Sequence, residues 1–210
     1  VILISARTEG QATDAHGISL FLVPGDTEGL SRKDYPTVDG LRASEVLLDN
    51  VRVPASALVG AEGAASQTLN TVINRGILAI SAEAVGAMAV LYQSTIDYTK
   101  QRVQFDHPLS EFQVVKHRLT EMFIEYNLAK SLCMKATMLL NQNSGDAQRH
   151  IHALKFLIGK TSRFVGQNAV QLHGGMGMTE DLAIAHYFKR LMMIDATFGH
   201  TDIHLDAFVQ

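Results

Sequence analysis

The sequence predicts a mixed α and β chain that is mainly α, with a four-helix-bundle-like C-terminal domain preceded by the last strands of a β domain. Three observations carry this. Up to Gly60 the chain is a series of short apolar stretches punctuated by turn residues, the pattern of strands and their connections. From about Ala64 apolar residues recur near a 3.6-residue period, the pattern of amphipathic helices. With 210 residues, 47% of them apolar, there is enough chain to bury a substantial core. The expected division is residues 1–60, β, and residues 61–210, helical.

The expected strands lie at residues 1–6, 18–23 and 45–53, rich in Val, Ile, Leu and Phe. Turn chemistry separates them at Pro24-Gly25-Asp26, Glu28-Gly29 and Val38-Asp39-Gly40. Asp49-Asn50 reads as a bulge or kink inside the third strand. Three strands leave open edges, so the sheet is expected to need further partners. The chain opens directly on Val1-Ile2-Leu3-Ile4, without an initiator Met, and is expected to be the latter part of a longer protein.

The first helix is expected to run from about Ala64 for about 35 residues, roughly 50 Å at 1.5 Å per residue, with no proline before Pro108. Gly76 and Gly86 inside it suggest close helix–helix packing. Further helices are expected at residues 111–141, at 146–172 with Asp146 near its cap and Gly174-Gly175 as its stop, at 181–195, and in a short stretch after Gly199. Long helices joined by short connections argue for an antiparallel bundle.

Composition narrows the function. Lys and Arg number 18 against 21 Asp and Glu, a net charge of −3, so no general basic field exists to hold nucleic acid. No uninterrupted apolar run reaches the ~18 residues of a membrane span, so none is expected. A single cysteine, Cys133, excludes an internal disulfide framework and fits a reducing, cytoplasmic compartment.

Among nine histidines only His200 and His204 have a spacing that places both on one helical face, and no third ligand completes a set, so no metal is expected. No GxSxG elbow, Walker loop or supported Cys–His pairing is present. Gly174-Gly175-Met176-Gly177 is a helix stop or, equally, a turn that lets backbone approach a cofactor. Arg102, at the end of the first long helix, compensates the helix dipole or faces a phosphate. Phe105, Phe112 and Phe123 read as core in preference to stacking platforms.

Two longer motifs resolve these alternatives. Tyr98-Thr99-Lys100-Gln101-Arg102-Val103-Gln104-Phe105, followed by Pro108-Leu109 and Phe112-Gln113, is similar to the Y-x-x-x-R-x-x-F-G-x-x-L-x-x-F-Q signature of the acyl-CoA dehydrogenases. Gln171-Leu172-His173-Gly174-Gly175-Met176-Gly177-Met178-Thr179 resembles that family's Q-x-x-G-G-x-G-[YF] turn. Gly17-Ile18-Ser19-Leu20-Phe21-Leu22-Val23 and Asp49-Asn50-Val51-Arg52-Val53-Pro54 look like the latter half of its barrel- or sandwich-like middle β domain and the passage into its helices.

The resemblance implies FAD-dependent α,β-desaturation of an acyl-CoA thioester by a homo- or hetero-oligomer, a dimer of dimers, in a bacterial cytosol or a mitochondrial matrix. It implies that Arg102, Phe105 and Gln113 contact an FAD held mainly by a neighbouring subunit. Gln171, Gly174 and Gly175 would lie near an adenine end, with Thr201 also on the cofactor and Arg75 and Gly199 near substrate. One position departs from the first signature: Asp106 replaces its glycine after the phenylalanine.

A larger departure concerns the base. The family's Y-E-G-T-x-x-I reads Thr197-Phe198-Gly199-His200-Thr201-Asp202-Ile203 here, which puts Phe198 where a Glu would take the α-proton. The alternative base position before a helix arginine holds Asn74, ahead of Arg75. Three readings follow from the resemblance. The chain is a base-lacking subunit whose paralogous partner carries the carboxylate, or an active homomer with a relocated base (Asp202, His200, Asp195 or Glu83), or a helical assembly domain without redox chemistry.

Overall fold

The computed structural model describes residues 1–210. Its chain divides into two compact units, Val1–Ile73 and Asn74–Gln210.

In the first unit β1 (Ile2–Arg7) pairs antiparallel with β2 (Ile18–Val23), Ile2 opposite Val23, and β2 pairs on its other edge with the short β5 (Leu58–Val59). As the central strand, β2 buries Ser19, Leu20 and Val23. The connection from β1 to β2 is ordered by Arg7, whose guanidinium donates to the carbonyls of Asp14 and His16, each at 2.8 Å. A separate hairpin pairs β3 (Leu30–Pro36) with β4 (Arg42–Leu48), Leu30 opposite Leu48.

This hairpin differs from the sequence expectation. Residues 30–36 were not expected to form a strand, because Ser31, Arg32, Lys33 and Asp34 show no apolar alternation; they are exposed and held by pairing to β4 alone. The third expected strand is shorter than residues 45–53. It ends at Leu48, where Asn50 turns into the left-handed region (φ 52°), a conformation Asn tolerates better than most residues.

The helices fall close to their expected places: α1 (Ala65–Gln101), α2 (Gln113–Asn141), α3 (Ala147–His173), α4 (Ala183–Ala196) and α5 (Thr201–Val209). The unit boundary falls inside α1. Asp146 stands at the N-cap of α3 without a side-chain capping bond.

Within the second unit α3 is the central helix, its Ile151, Leu154, Ile158, Val165 and Ala169 fully buried. Met88 and Leu91 of α1, Met122 and Ala129 of α2, and Leu191 and Ile194 of α4 close the same core. By length and composition α1 is also long and apolar enough to cross a membrane, with a mean hydropathy of 1.4 over an 18-residue window. Gly86, expected at a helix contact, faces open space, and Gly76 meets a loop instead of a helix.

Candidate functional site

Two groups of sequence-predicted residues meet at one end of the bundle. The N–H of Arg102 donates to the Tyr98 carbonyl, extending the last turn of α1. There follows a tight hairpin, β6 (Val103–Gln104) against β7 (His107–Pro108), with Gln104 opposite His107. Its two-residue turn is Phe105 (φ 56°) and Asp106 (φ 63°), the geometry of a type I′ hairpin, which needs positive φ at both positions. Asp106 is therefore compatible with the turn in which the family has glycine. Phe105, at the tip, is 85% exposed and Phe123 is also exposed. Neither is a core residue, because hairpin tip and outer helix face both point away from the bundle. Arg102 and Gln113 are exposed as well.

The second group closes α3. Gly174 (φ 63°) caps the helix, its N–H donating to the Gln171 carbonyl, in a conformation that favours glycine. Gln171, Gly174 and Gly175 are exposed. The two groups are joined by Tyr98, whose ring stacks on His173 at 4.3 Å and whose hydroxyl donates to the His173 carbonyl at 3.4 Å. Burial pushes the His173 imidazole below its ordinary pKa. Its Nδ1 lies 2.8 Å from the Ala169 carbonyl, so that nitrogen carries the hydrogen.

The loop between α4 and α5 holds the expected base position. Phe198 has φ 60° and Gly199 φ 102°. A bulky residue in the left-handed region costs about 1–2 kcal/mol, so surrounding contacts must hold it. The Phe198 ring, 45% exposed, lies over Gly76 of α1, where an added Cβ would be 2.8 Å from it. Gly76 is thus an α1 residue against this loop. Arg75 lines a separate groove of about 540 Å³ with Leu78, Thr137, Leu140 and Asn141, between α1 and α2.

The candidate replacement bases are placed elsewhere or already engaged. Asp195 is buried, accepting from the Thr201 hydroxyl (2.5 Å) and the Arg163 guanidinium (3.1 Å), with His200 Nε2 at 3.4 Å. Glu83 is held by two bonds from Arg190, at 2.6 and 2.8 Å. The Asp202 side chain is 87% exposed. His200 and Asp202 line a cavity of about 420 Å³ on α3, together with Thr201, Lys160, Arg163 and Gln167. On α3, Gly159, Arg163 and Gln167 follow one another at four-residue spacing along the cavity. Its charged lining is mixed: Lys160, Arg163 and His200 stand with the acidic residues Glu125 and Asp202.

Sequence reasoning missed Lys155 and His152 beneath the loop, and it paired His204 with His200 instead of with His152. Lys155 is fully buried, and its ammonium donates to the carbonyls of Asp195 (2.8 Å) and Gly199 (2.9 Å). Burial lowers its pKa, and the Asp195 carboxylate opposes that shift. His204 and His152 touch each other, Nδ1 to Nδ1, at 3.0 Å. A lysine between Leu154 and Phe156 in an apolar run was the available signal for Lys155. The histidine pair, 52 residues apart, had none. His200 and His204 join no group of three or more potential metal ligands.

Residues 54–210 match the family model described as the acyl-CoA dehydrogenase, C-terminal domain. The chain belongs to the acyl-CoA dehydrogenase family. It is 29% identical over 205 residues to the probable acyl-CoA dehydrogenase YngJ of Bacillus subtilis, covering 96% of this chain and 54% of that protein. It is 33% identical over 187 residues to acyl-CoA dehydrogenase FadE12 of Mycobacterium tuberculosis, covering 88% and 48%. The FAD complex of PigA superposes with a TM-score of 0.91 at 26% identity, covering 99% of this chain and 54% of that one. The chain spans about half the length of the relatives it matches.

Proposed function

We propose that this acyl-CoA dehydrogenase chain serves FAD-dependent α,β-desaturation of an acyl-CoA thioester as a subunit that lacks the usual proton-abstracting carboxylate. The observation that carries the proposal is the pair Phe198 and Gly76: an aromatic ring over a glycine where the resemblance calls for a Glu. Neither Phe198 nor Asn74, the residue at the alternative base position, accepts a proton near neutral pH. The relocated-base reading loses support because Asp195 and Glu83 are engaged in ion pairs. His200 and Asp202 open onto the α3 cavity, whereas Phe198 faces α1.

Flavin, when bound, supplies the acceptor for the β-hydride. This chain's share is to hold it at a subunit interface. Arg102, Phe105 and Gln113 offer a charge, an exposed ring and an amide, while Gln171, Gly174 and Gly175 form a turn open to close approach. Lys160 and Arg163 line the cavity with donors for phosphate oxygens, and Thr201, whose hydroxyl is given to Asp195, would contribute its backbone N–H at the start of α5. Gly199 and Arg75 remain the substrate-proximal candidates. A partner subunit, paralogous and carrying an intact Glu, would supply the base, in the reducing cytoplasm that a single buried Cys133 suits.

The test is flavin reduction. Mixed with acyl-CoA, the chain in its own flavin-loaded oligomer is expected to leave the flavin oxidised until a Glu-bearing partner is added; bleaching without one would sink the proposal. Phe198→Glu is expected to raise the rate of flavin reduction by roughly 10²–10⁴-fold, the value of a positioned general base.

A further inference from the structure

The loop that carries Phe198 is held from below by inward-facing polar side chains. His204, buried on α5, sits with Nε2 2.9 Å from the Phe198 carbonyl and Nδ1 3.0 Å from Nδ1 of His152 on α3. A carbonyl only accepts, so His204 Nε2 must carry the hydrogen and donate it. In the neutral ring Nδ1 is then a lone pair, and the hydrogen shared with His152 must come from His152 Nδ1. One carbonyl thus orders both protons, running from His152 through His204 to Phe198.

The surroundings keep that order. The Lys155 ammonium, bonded to the Gly199 carbonyl beside Phe198, disfavours a second proton on His204. Burial pushes both imidazoles below their ordinary values, and each is lowered further by a neighbour: His152 by His204, and His204 by Lys155, with the bond to Phe198 opposing. The other charged groups around the pair are Asp195, against Lys155, and Arg149, on the cavity that His152 lines with Gln148 and Phe208. His152 can take an extra proton on Nε2 and still donate from Nδ1. His204 cannot: a hydrogen on its Nδ1 would face the one on His152.

We propose that His152 is a positioning residue: its Nδ1–H keeps His204 in the neutral Nε2–H form, and that form anchors the Phe198 carbonyl so that the ring stays over Gly76. Asn, which offers an amide N–H near the place of Nδ1, is the conservative replacement for His152. Gln is the equivalent for His204, with an amide N–H that can reach the same carbonyl.

Two measurements decide it. In protein labelled with ring-¹⁵N histidine, near neutral pH, His204 is expected as the Nε2–H tautomer and His152 as the Nδ1–H tautomer. His152→Phe is expected to let His204 take its second proton at higher pH than in the parent, and His152→Asn to restore the parent titration. Because the chain contains no tryptophan, Phe198→Trp supplies a single indole reporter. In that background His204→Leu is expected to raise the population of displaced, quencher-accessible indole about tenfold, the equivalent of one lost hydrogen bond, and His204→Gln to reverse it. A parent His204 protonated on Nδ1, an unchanged titration in His152→Phe, or equal quenching in the Leu and Gln variants would each overturn the proposal. None of these readouts involves flavin or acyl-CoA, so their failure leaves the base-lacking-subunit proposal standing.

Discussion

The rim at the ends of α1 and α3 and the loop ahead of α5 are built by opposite means. The rim is exposed and keeps the family's residue types: Arg102, Phe105, Gln113, Gln171, Gly174 and Gly175 stand on a hairpin tip and three helix ends. Below the loop, polar groups are buried and turned inward, Lys155 on two carbonyls and His204 on a third, while the residue presented outward is a phenylalanine. Under the proposed function, groups that would face the cofactor are kept while the expected base position is given over to packing, because different helix ends supply the two.

The contrast can be broken most strongly at Lys155. Lys155→Met removes a buried donor from two buried carbonyls, and a loss of about 3 kcal/mol is expected in urea unfolding. A loss below ~1 kcal/mol would mean that water replaces the ammonium. At the rim the effect is expected on binding and not on folding. Arg102→Gln should weaken flavin binding in the assembled oligomer by roughly 10–100-fold, the worth of a charge-assisted bond. Its melting temperature should stay near that of the parent, since exposed positions change stability within about 0.5 kcal/mol.

Gly159→Ala tests how closely α3 approaches the loop's far side. A Cβ there would meet the Thr201 hydroxyl and the Asp195 carboxylate, so destabilisation of about 1–3 kcal/mol is expected from thermal melts. Gly86→Ala faces open space and serves as the control; it should stabilise α1 by up to ~1 kcal/mol.

The smallest expected effect is the acid dependence. His152, His173 and His204 all have folded pKa values below the ordinary 6.5. Between each folded value and 6.5 the unfolded chain binds more protons than the native one, so stability rises with pH in that window. The neutral histidines are fully accommodated above 6.5, and stability is expected to fall as pH drops below it. Denaturation midpoints between pH 7.5 and 5.5 check the direction, and His173→Phe should flatten part of the slope.

Much of the helical layout was legible in the sequence, because a 3.6-residue apolar period and glycine stops specify helices locally: α1, α2 and α3 start and end within about two residues of expectation. The strand at residues 30–36 was not legible, since it holds no apolar alternation and forms only by pairing with β4. Phe105 was misjudged for a related reason. An aromatic residue reads as core until a two-residue turn places it at a tip.

The sequence by itself determined the fold class, the family motifs and the presence of Phe198 at the expected base position, because residue identity and short-range spacing suffice for each. Only the tertiary structure decided that Phe198 lies over Gly76, that Asp195 and Glu83 are committed to ion pairs, and that Lys155, His152 and His204 hold the loop. Apart from His204 on the Phe198 carbonyl, six residues away, those relations join residues from 32 to 122 positions apart, Arg163 with Asp195 at one extreme and Gly76 with Phe198 at the other. No local period carries such information; it exists only once the helices are packed.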